Sequence, residues 1–163
     1  NTSLEETEYL DRCRLKTARL FEAACVLGRD SVGGEDSDVV ALFGHRIGLA
    51  FQMLDDVLDI AGPVERTGKA RGTDLLDGTV TLPFIEAAKV DPELRGYDLA
   101  SLDETTAEAL CDRISATGAL DTVRSRAMGL IEEAKAGLTG TAIEPGQRKL
   151  LDLIADGVVL RYS

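Results

Sequence analysis

The spacing of apolar residues predicts a chain built of α-helices alone. Leucine, isoleucine, valine and alanine recur every three to four positions, in segments separated by glycine, proline and short polar runs. No alternating run is long enough to indicate a β-strand, and no internal repeat is found. Six helices are predicted, over about residues 4–27, 37–60, 81–89, 103–117, 120–138 and 145–160. The pattern therefore indicates an all-α fold.

Glycine and capping residues predict where the first two helices end and begin. Gly28 is expected at the C-terminal cap of the first helix, and Asp36 or Ser37 at the N-terminal cap of the second. Between Gly62 and Val80 the composition changes to glycine, threonine and charged residues. We expect a flexible loop there.

The second predicted helix is among the most apolar parts of the chain, yet it carries Asp55, Asp56 and Asp59. At about 100° per residue, Gln52 shares one helix face with these aspartates. Like charges at this spacing repel one another, and the C-terminal half of a helix disfavours negative charge. A hard cation between the carboxylates would relieve this repulsion, and Mg²⁺ prefers oxygen ligands. A solvated acidic helix face is the simpler alternative.

Two other features of the same helix have ordinary explanations. Gly44 and Gly48 are four residues apart and would allow a neighbouring helix to approach closely. His45, the sole histidine, is interpreted as a hydrogen-bonded (satisfied) or partly exposed residue and not as a catalytic base.

The segment from Gly48 to Asp59 reads G-x-A-F-Q-x-x-D-D-x-x-D. It resembles the second aspartate-rich motif of the trans-prenyltransferases, the polyprenyl diphosphate synthases. Further elements of that family occur in the same order, namely Lys16-Thr17, Gly68-Lys69, Gly72-Thr73-Asp74 and Thr81-Leu82-Pro83. The resemblance covers most of the 163 residues but only the C-terminal half of a family member.

This resemblance implies a helical bundle of the isoprenoid synthase type, with residues 1–163 as the C-terminal part of one domain. The implied metal ligands for Mg²⁺ are Asp55, Asp56 and Asp59. The implied catalytic residues are Lys16, Thr17 and Gln52, and the implied diphosphate-binding residues are Lys16 and Lys69. From sequence alone, an ordinary surface role would be favoured for Lys16.

The predicted loop supplies the remaining cations. Lys69 matches a phosphate-binding lysine of the family, and Arg71 is the other cation available there. Asp74 matches a family position whose role is less sharply defined than that of the phosphate-binding lysine. Many members have Gly-Lys before the Thr-Leu-Pro segment, whereas this chain has Gly78-Thr79, so one expected cation is missing.

The implied activity is prenyl transfer, in which isopentenyl diphosphate condenses with an allylic diphosphate after Mg²⁺-dependent ionisation. The first aspartate-rich motif of the family is absent from this sequence. We therefore expect an incomplete and inactive fragment. Half a bundle should expose an apolar face, which favours a homo-oligomer such as a dimer.

Composition narrows the possible partners and location. The net charge of −11, without a basic block, argues against nucleic acid binding. No apolar run reaches the ~18 residues of a membrane span. Cys13, Cys25 and Cys111 are widely spaced and are expected to be free, mostly buried thiols, which suggests the reducing cytoplasm.

Three other functions compete with a chain-elongating enzyme. The chain could be a non-catalytic regulatory subunit of a heteromeric prenyl synthase, although its intact aspartate motif argues against this. It could be a class I terpene cyclase-like protein, but the Phe51-Gln52 flank and the Lys16-Thr17 pair favour chain elongation. A plain helical interaction module is the third alternative.

Overall fold

A computed structural model of the chain describes residues 6–62 and 71–162. Every regular element in these two ranges is helical, which confirms the all-α prediction. The α-helices are α1 (Glu6–Cys13), α2 (Arg19–Asp30), α3 (Ser37–Ala61), α4 (Thr73–Leu76), α5 (Leu82–Val90), α6 (Glu104–Ala116), α7 (Ala119–Gly137) and α8 (Pro145–Arg161). A π-helical segment, Arg14–Ala18, joins α1 to α2.

The first predicted helix continues past its expected end. Gly28 lies inside α2, so its assignment as the C-terminal cap was wrong. The chain turns three residues after the helix, at Gly33, whose φ of 70° is the left-handed conformation that glycine adopts without strain. A glycine inside a helix costs only about 1 kcal/mol, which the rest of α2 tolerates.

The predicted loop from Gly62 to Val80 is only partly described, because residues 63–70 lie outside the described ranges. Its second half contains α4, a four-residue helix that the apolar pattern did not predict. Two 3₁₀ turns, Pro92–Gly96 and Leu99–Ser101, likewise occupy the polar connection after α5. Elements this short contain too few residues for apolar periodicity to predict them.

Internal contacts divide the chain into two compact units. Unit 1 comprises Asn1–Leu10 and Met53–Ser125, and unit 2 comprises Asp11–Gln52 and Arg126–Ser163. The largest fully buried side chains of unit 1 include Tyr9, Met53, Ile60, Phe84 and Ile114. Those of unit 2 include Ile47, Ile131 and Leu138.

Close helix packing in unit 2 depends on the two glycines predicted for that purpose. A Cβ atom at Gly48 would lie 2.5 Å from the Cα atom of Ala18, and one at Gly44 would lie 2.6 Å from the carbonyl oxygen of Phe21. Neither approach is possible for a larger residue without moving the backbone. This confirms the role expected for both glycines.

Unit 2 exposes large apolar side chains on two of its helical stretches. Leu15, Leu20 and Leu27 are each about two-thirds exposed, at 66, 72 and 69%. On α8 the exposed apolar residues are Leu150, Leu153, Ile154 and Leu160. The predicted apolar surface is therefore present. Among the described residues, no helix combines the length and the apolar character needed to traverse a bilayer.

The three cysteines are free, as predicted. Cys13 and Cys111 are buried and Cys25 is half-buried. Burial raises the pKa of the Cys111 thiol to about 11, and the positive charge of Arg71 opposes this effect in part.

Candidate functional site

Unit 1 holds the three aspartates of the acidic motif, and it gives each a different environment. Asp55 and Asp59 are half-buried, whereas Asp56 is only 3% exposed. Among the described residues, no group of three or more acidic, histidine or cysteine side chains could hold a metal ion. A cation at this motif would therefore need oxygen ligands from elsewhere, as Mg²⁺ commonly takes them from substrate phosphates.

The carboxylate of Asp56 is held by a residue that the sequence did not single out. The hydroxyl of Tyr9, on α1, donates a buried hydrogen bond of 2.8 Å to Oδ2 of Asp56. Tyr9 is fully buried. A carboxylate removed from water is costly unless it is hydrogen-bonded, so this bond stabilises the charged form of Asp56 inside unit 1.

Asp59 caps the short helix that follows the motif in sequence. Its Oδ1 and Oδ2 atoms accept hydrogen bonds of 3.1 Å from the backbone N–H groups of Thr73 and Asp74, respectively. Burial, and after it the negative charge of Asp74, raises the pKa of Asp59 to about 6. A carboxylate destabilised in this way by burial and a second carboxylate would gain from a nearby cation. The carboxylates of Asp59 and Asp74 are therefore of the kind that a hard divalent ion would stabilise.

Arg71, one of the two expected loop cations, has protein partners instead of a free head group. Its Nε donates to the carbonyl oxygen of Ile60 at 2.9 Å, and its Nη2 lies 3.0 Å from Oδ1 of Asp112. A cation at the carbonyl end of α3 also complements the helix dipole. Arg71 thus holds the end of α3.

The other predicted features of this region are described only in part. Lys69 lies outside the described residues, so its assignment to the diphosphate stays a prediction. Thr79, which replaces the family lysine, donates its backbone N–H to the carbonyl oxygen of Asp74 at 2.8 Å. It follows Gly78, whose φ of 71° is the left-handed conformation that makes this turn possible.

Unit 2 carries the predicted catalytic residues Lys16, Thr17 and Gln52. The Thr17 hydroxyl donates a hydrogen bond of 2.8 Å to the Oε1 atom of Gln52, across 35 residues of sequence. Lys16 is exposed, whereas Gln52 is buried. The structure thus joins two of the three residues directly.

Lys16 and Thr17 belong to the π-helical segment, an arrangement that the sequence did not predict. Single π-helical turns inside α-helices are rare, but those that occur are often found at functional sites. In this segment the extra residue per turn changes the direction of the side chains relative to a regular helix.

An aromatic cluster lies beside Gln52 in unit 2. The ring centroid of Phe51 is 5.6 Å from that of Phe21 and 5.9 Å from that of Tyr162. The guanidinium of Arg161 lies over the Phe51 ring, 4.9 Å from its centroid. His45 is half-buried, and its Nδ1 lies 3.8 Å from Oε2 of Glu22.

Comparison with known proteins gives a consistent family assignment. The family model described as "Polyprenyl synthetase" matches residues 1–116. The chain belongs to this family. It is 39% identical to a geranylgeranyl diphosphate synthase from Methanosarcina mazei over 160 residues, which are 96% of this chain and 48% of that protein. It is 37% identical over 150 residues to a heptaprenyl diphosphate synthase component 2 from Geobacillus stearothermophilus, covering 89% and 47% of the two chains.

Solved structures give the same fold. A polyprenyl synthase from Caulobacter crescentus, crystallised with calcium and isoprenyl diphosphate, superposes with a TM-score of 0.89 at 32% identity. The match covers all of this chain and 52% of that one. A decaprenyl diphosphate synthase from Rhodobacter capsulatus superposes with a TM-score of 0.85 at 30% identity, with the same coverage. This chain spans about half the length of the relatives that it matches, as the sequence resemblance predicted.

Proposed function

We propose that this chain forms the diphosphate-binding part of a prenyltransferase that condenses isopentenyl diphosphate with an allylic diphosphate. The observation that carries the proposal is the acidic motif of α3, in a chain whose relatives are named prenyl diphosphate synthases. Asp59 has its pKa raised by burial and by Asp74, which is the condition in which a cation is most stabilising.

The metal that suits these ligands is Mg²⁺, which binds through one or two carboxylates together with substrate phosphate oxygens. Mg²⁺ would supply positive charge to the departing diphosphate. Asp55 and Asp59, both half-buried, are more accessible to it from solution than the buried Asp56, which completes the motif. A related polyprenyl synthase was crystallised with calcium, another hard cation, and isoprenyl diphosphate.

The residues of unit 2 would act on the allylic diphosphate. The exposed Lys16 would hold its diphosphate group by charge. Lys69, which lies outside the described residues, stays a proposed second diphosphate-binding residue. The hydrogen bond from Thr17 fixes the orientation of the Gln52 side-chain amide. That amide and the Thr17 oxygen would then stabilise the allylic cation formed when the C–O bond breaks.

The exposed leucines of unit 2 support assembly with another helical surface. A homodimer is the form that we propose, because symmetric dimers are the commonest oligomers of soluble proteins. One relative is named component 2 of a heptaprenyl diphosphate synthase, so pairing with a different subunit is the second candidate. A cytoplasmic location is proposed from the free cysteines.

We also propose that this chain alone does not transfer prenyl groups, since only one aspartate-rich motif is present. The test of its function is therefore binding. Calorimetric titration with pyrophosphate should give saturable binding in the presence of Mg²⁺ and none in the presence of EDTA. Pyrophosphate binding of equal strength without a divalent metal would contradict the proposal.

A further inference from the structure

Unit 1 contains a buried pair of polar side chains that joins the start of the chain to the acidic motif. Tyr9 and Asp56 are 47 residues apart in sequence, and their side chains meet at 2.8 Å. Tyr9 is 0% exposed and Asp56 is 3% exposed. A carboxylate so thoroughly removed from solvent is poorly placed to receive a hydrated cation, in contrast to the half-exposed Asp55 beside it.

The turn of α1 that carries Tyr9 is fixed at a second point. Lys89, on α5, bridges Glu6 at 3.2 Å and Glu86 at 2.6 Å. Glu6 and Tyr9 are three residues apart and therefore on neighbouring positions of the α1 surface. Because this turn is tied to α5 as well as to α3, the Tyr9 hydroxyl is a fixed donor.

We infer that Tyr9 is a positioning residue for the acidic motif, and that Asp56 serves to receive its hydrogen bond and not to bind the metal. The inference rests on the proposed function, since it concerns which carboxylates meet Mg²⁺. The bond fixes the rotation of the α3 turn that contains Asp55, Asp56 and Asp59. With Asp56 turned into unit 1, Asp55 one residue earlier is directed about 100° away from it around the helix axis.

The chemistry of the pair explains why it contains a phenol and a carboxylate. A tyrosine ring fills apolar space as a phenylalanine would, and its hydroxyl adds a single donor in a defined direction. A hydrogen bond to a charged acceptor is roughly twice as strong as a neutral one. Outer-shell bonds of this kind orient metal-site groups, and their loss typically weakens metal binding by about 10- to 100-fold.

Variants of the chain can separate a positioning role from a ligand role. Mg²⁺ is titrated by calorimetry in the presence of pyrophosphate, with the wild-type chain, Tyr9→Phe, Asp56→Asn, the double variant and Asp55→Asn. We expect Tyr9→Phe to weaken the apparent Mg²⁺ affinity about tenfold. Asp56→Asn keeps an acceptor oxygen for the phenol, so its apparent Mg²⁺ affinity should fall by about threefold or less. Asp55→Asn should lower the apparent Mg²⁺ affinity more than Tyr9→Phe or Asp56→Asn does.

Non-additivity provides the second readout. If the two residues act through their common bond, the double variant should be no weaker than Tyr9→Phe alone. Tyr97→Phe is the matched control, because Tyr97 bonds to Arg113 in the same unit and not to the acidic motif. It should leave Mg²⁺ affinity unchanged. The inference is overturned if Asp56→Asn loses as much affinity as Asp55→Asn, or if the two effects add.

Urea unfolding without metal keeps the test independent of the proposed function. Tyr9→Phe and Asp56→Leu should each lower the urea midpoint, and their effects should be strongly non-additive. If Asp55→Asn binds Mg²⁺ and pyrophosphate as well as wild type does, the proposed function is wrong. The coupling between Tyr9 and Asp56 in urea unfolding would still be measurable in that case. Additive shifts of the urea midpoint would overturn the inference itself.

Discussion

The hydroxyl of Thr17 donates a hydrogen bond to the side-chain carbonyl of Gln52 over 2.8 Å, from a π-helical segment to the buried face of α3. Because the bond is made to Oε1 of Gln52, it fixes the orientation of the side-chain amide. The direction of the NH₂ group is defined at the same time. Close packing of Gly48 against Ala18, the residue after Thr17, holds the two helices at the distance that this bond requires.

Replacing Thr17 by valine removes this donor while keeping the shape of the side chain. We expect Thr17→Val to lower the free energy of unfolding by about 1–2 kcal/mol, because Oε1 of the buried Gln52 loses this hydrogen bond. Thr17→Ser, which retains the hydroxyl, should lose less than half as much. Urea unfolding followed by circular dichroism measures both, and equal losses would show that the methyl group and not the bond matters.

Gly48→Ala tests the close approach of the helices in unit 2. Its Cβ would lie 2.5 Å from the Ala18 Cα atom, so the backbone must move, which we expect to destabilise the fold by about 2–3 kcal/mol. Gly28→Ala is the matched control, since a Cβ there meets nothing within 4 Å and Gly28 lies inside α2. The control should stabilise the fold by up to about 1 kcal/mol. A destabilised Gly28→Ala would contradict the helical position of this residue.

Alkaline pH should destabilise the fold through the thiol of Cys111. Its pKa is raised by burial from 9.0 to about 11, so the folded state retains a proton that the unfolded state releases between these values. Stability is therefore full below pH 9 and falls as the pH rises to 11, by about 1 kcal/mol at pH 10. Thermal unfolding between pH 8 and 10.5 should show a shallower dependence in Cys111→Ala than in wild type. Parallel curves would exclude Cys111 as the cause.

Lys16 is expected to bind the substrate diphosphate without contributing to the fold. It is exposed, so Lys16→Ala should leave the urea midpoint unchanged. Loss of one charge-assisted hydrogen bond should weaken Mg²⁺-dependent pyrophosphate binding about tenfold. The exposed Lys149 on α8 provides a charge-matched control, Lys149→Ala. Equal loss in both variants would mean that only net charge matters.

The sequence predicted the later helices well because their ends carry local signals. Pro145 begins α8, Asp103 caps the Thr106 N–H at the start of α6, and Gly118 and Gly140 adopt φ values of 79° and 77° at the helix ends. These residues act through their own backbone chemistry, which is visible in the sequence.

Features that depend on distant partners could not be predicted in the same way. The π-helical segment changes a hydrogen-bond register, which the spacing of apolar residues does not record. Helix α4 depends on capping by Asp59, fourteen residues earlier. Tyr9 looks like an ordinary core aromatic until Asp56, 47 residues away, is placed beside it. In the candidate site, therefore, the sequence and its family resemblance supplied the residue identities, and the structure supplied their differing environments.

The central claim is that the acidic motif binds Mg²⁺ and, through it, a diphosphate. The most direct test is calorimetric titration of Mg²⁺ with a non-hydrolysable diphosphate analogue, comparing wild type with Asp55→Ala/Asp59→Ala. Glu132→Ala/Glu133→Ala removes the same charge from the exposed face of α7 and serves as the control. We predict that binding is lost in the aspartate variant and retained in the control. Unchanged binding in the aspartate variant would contradict the account.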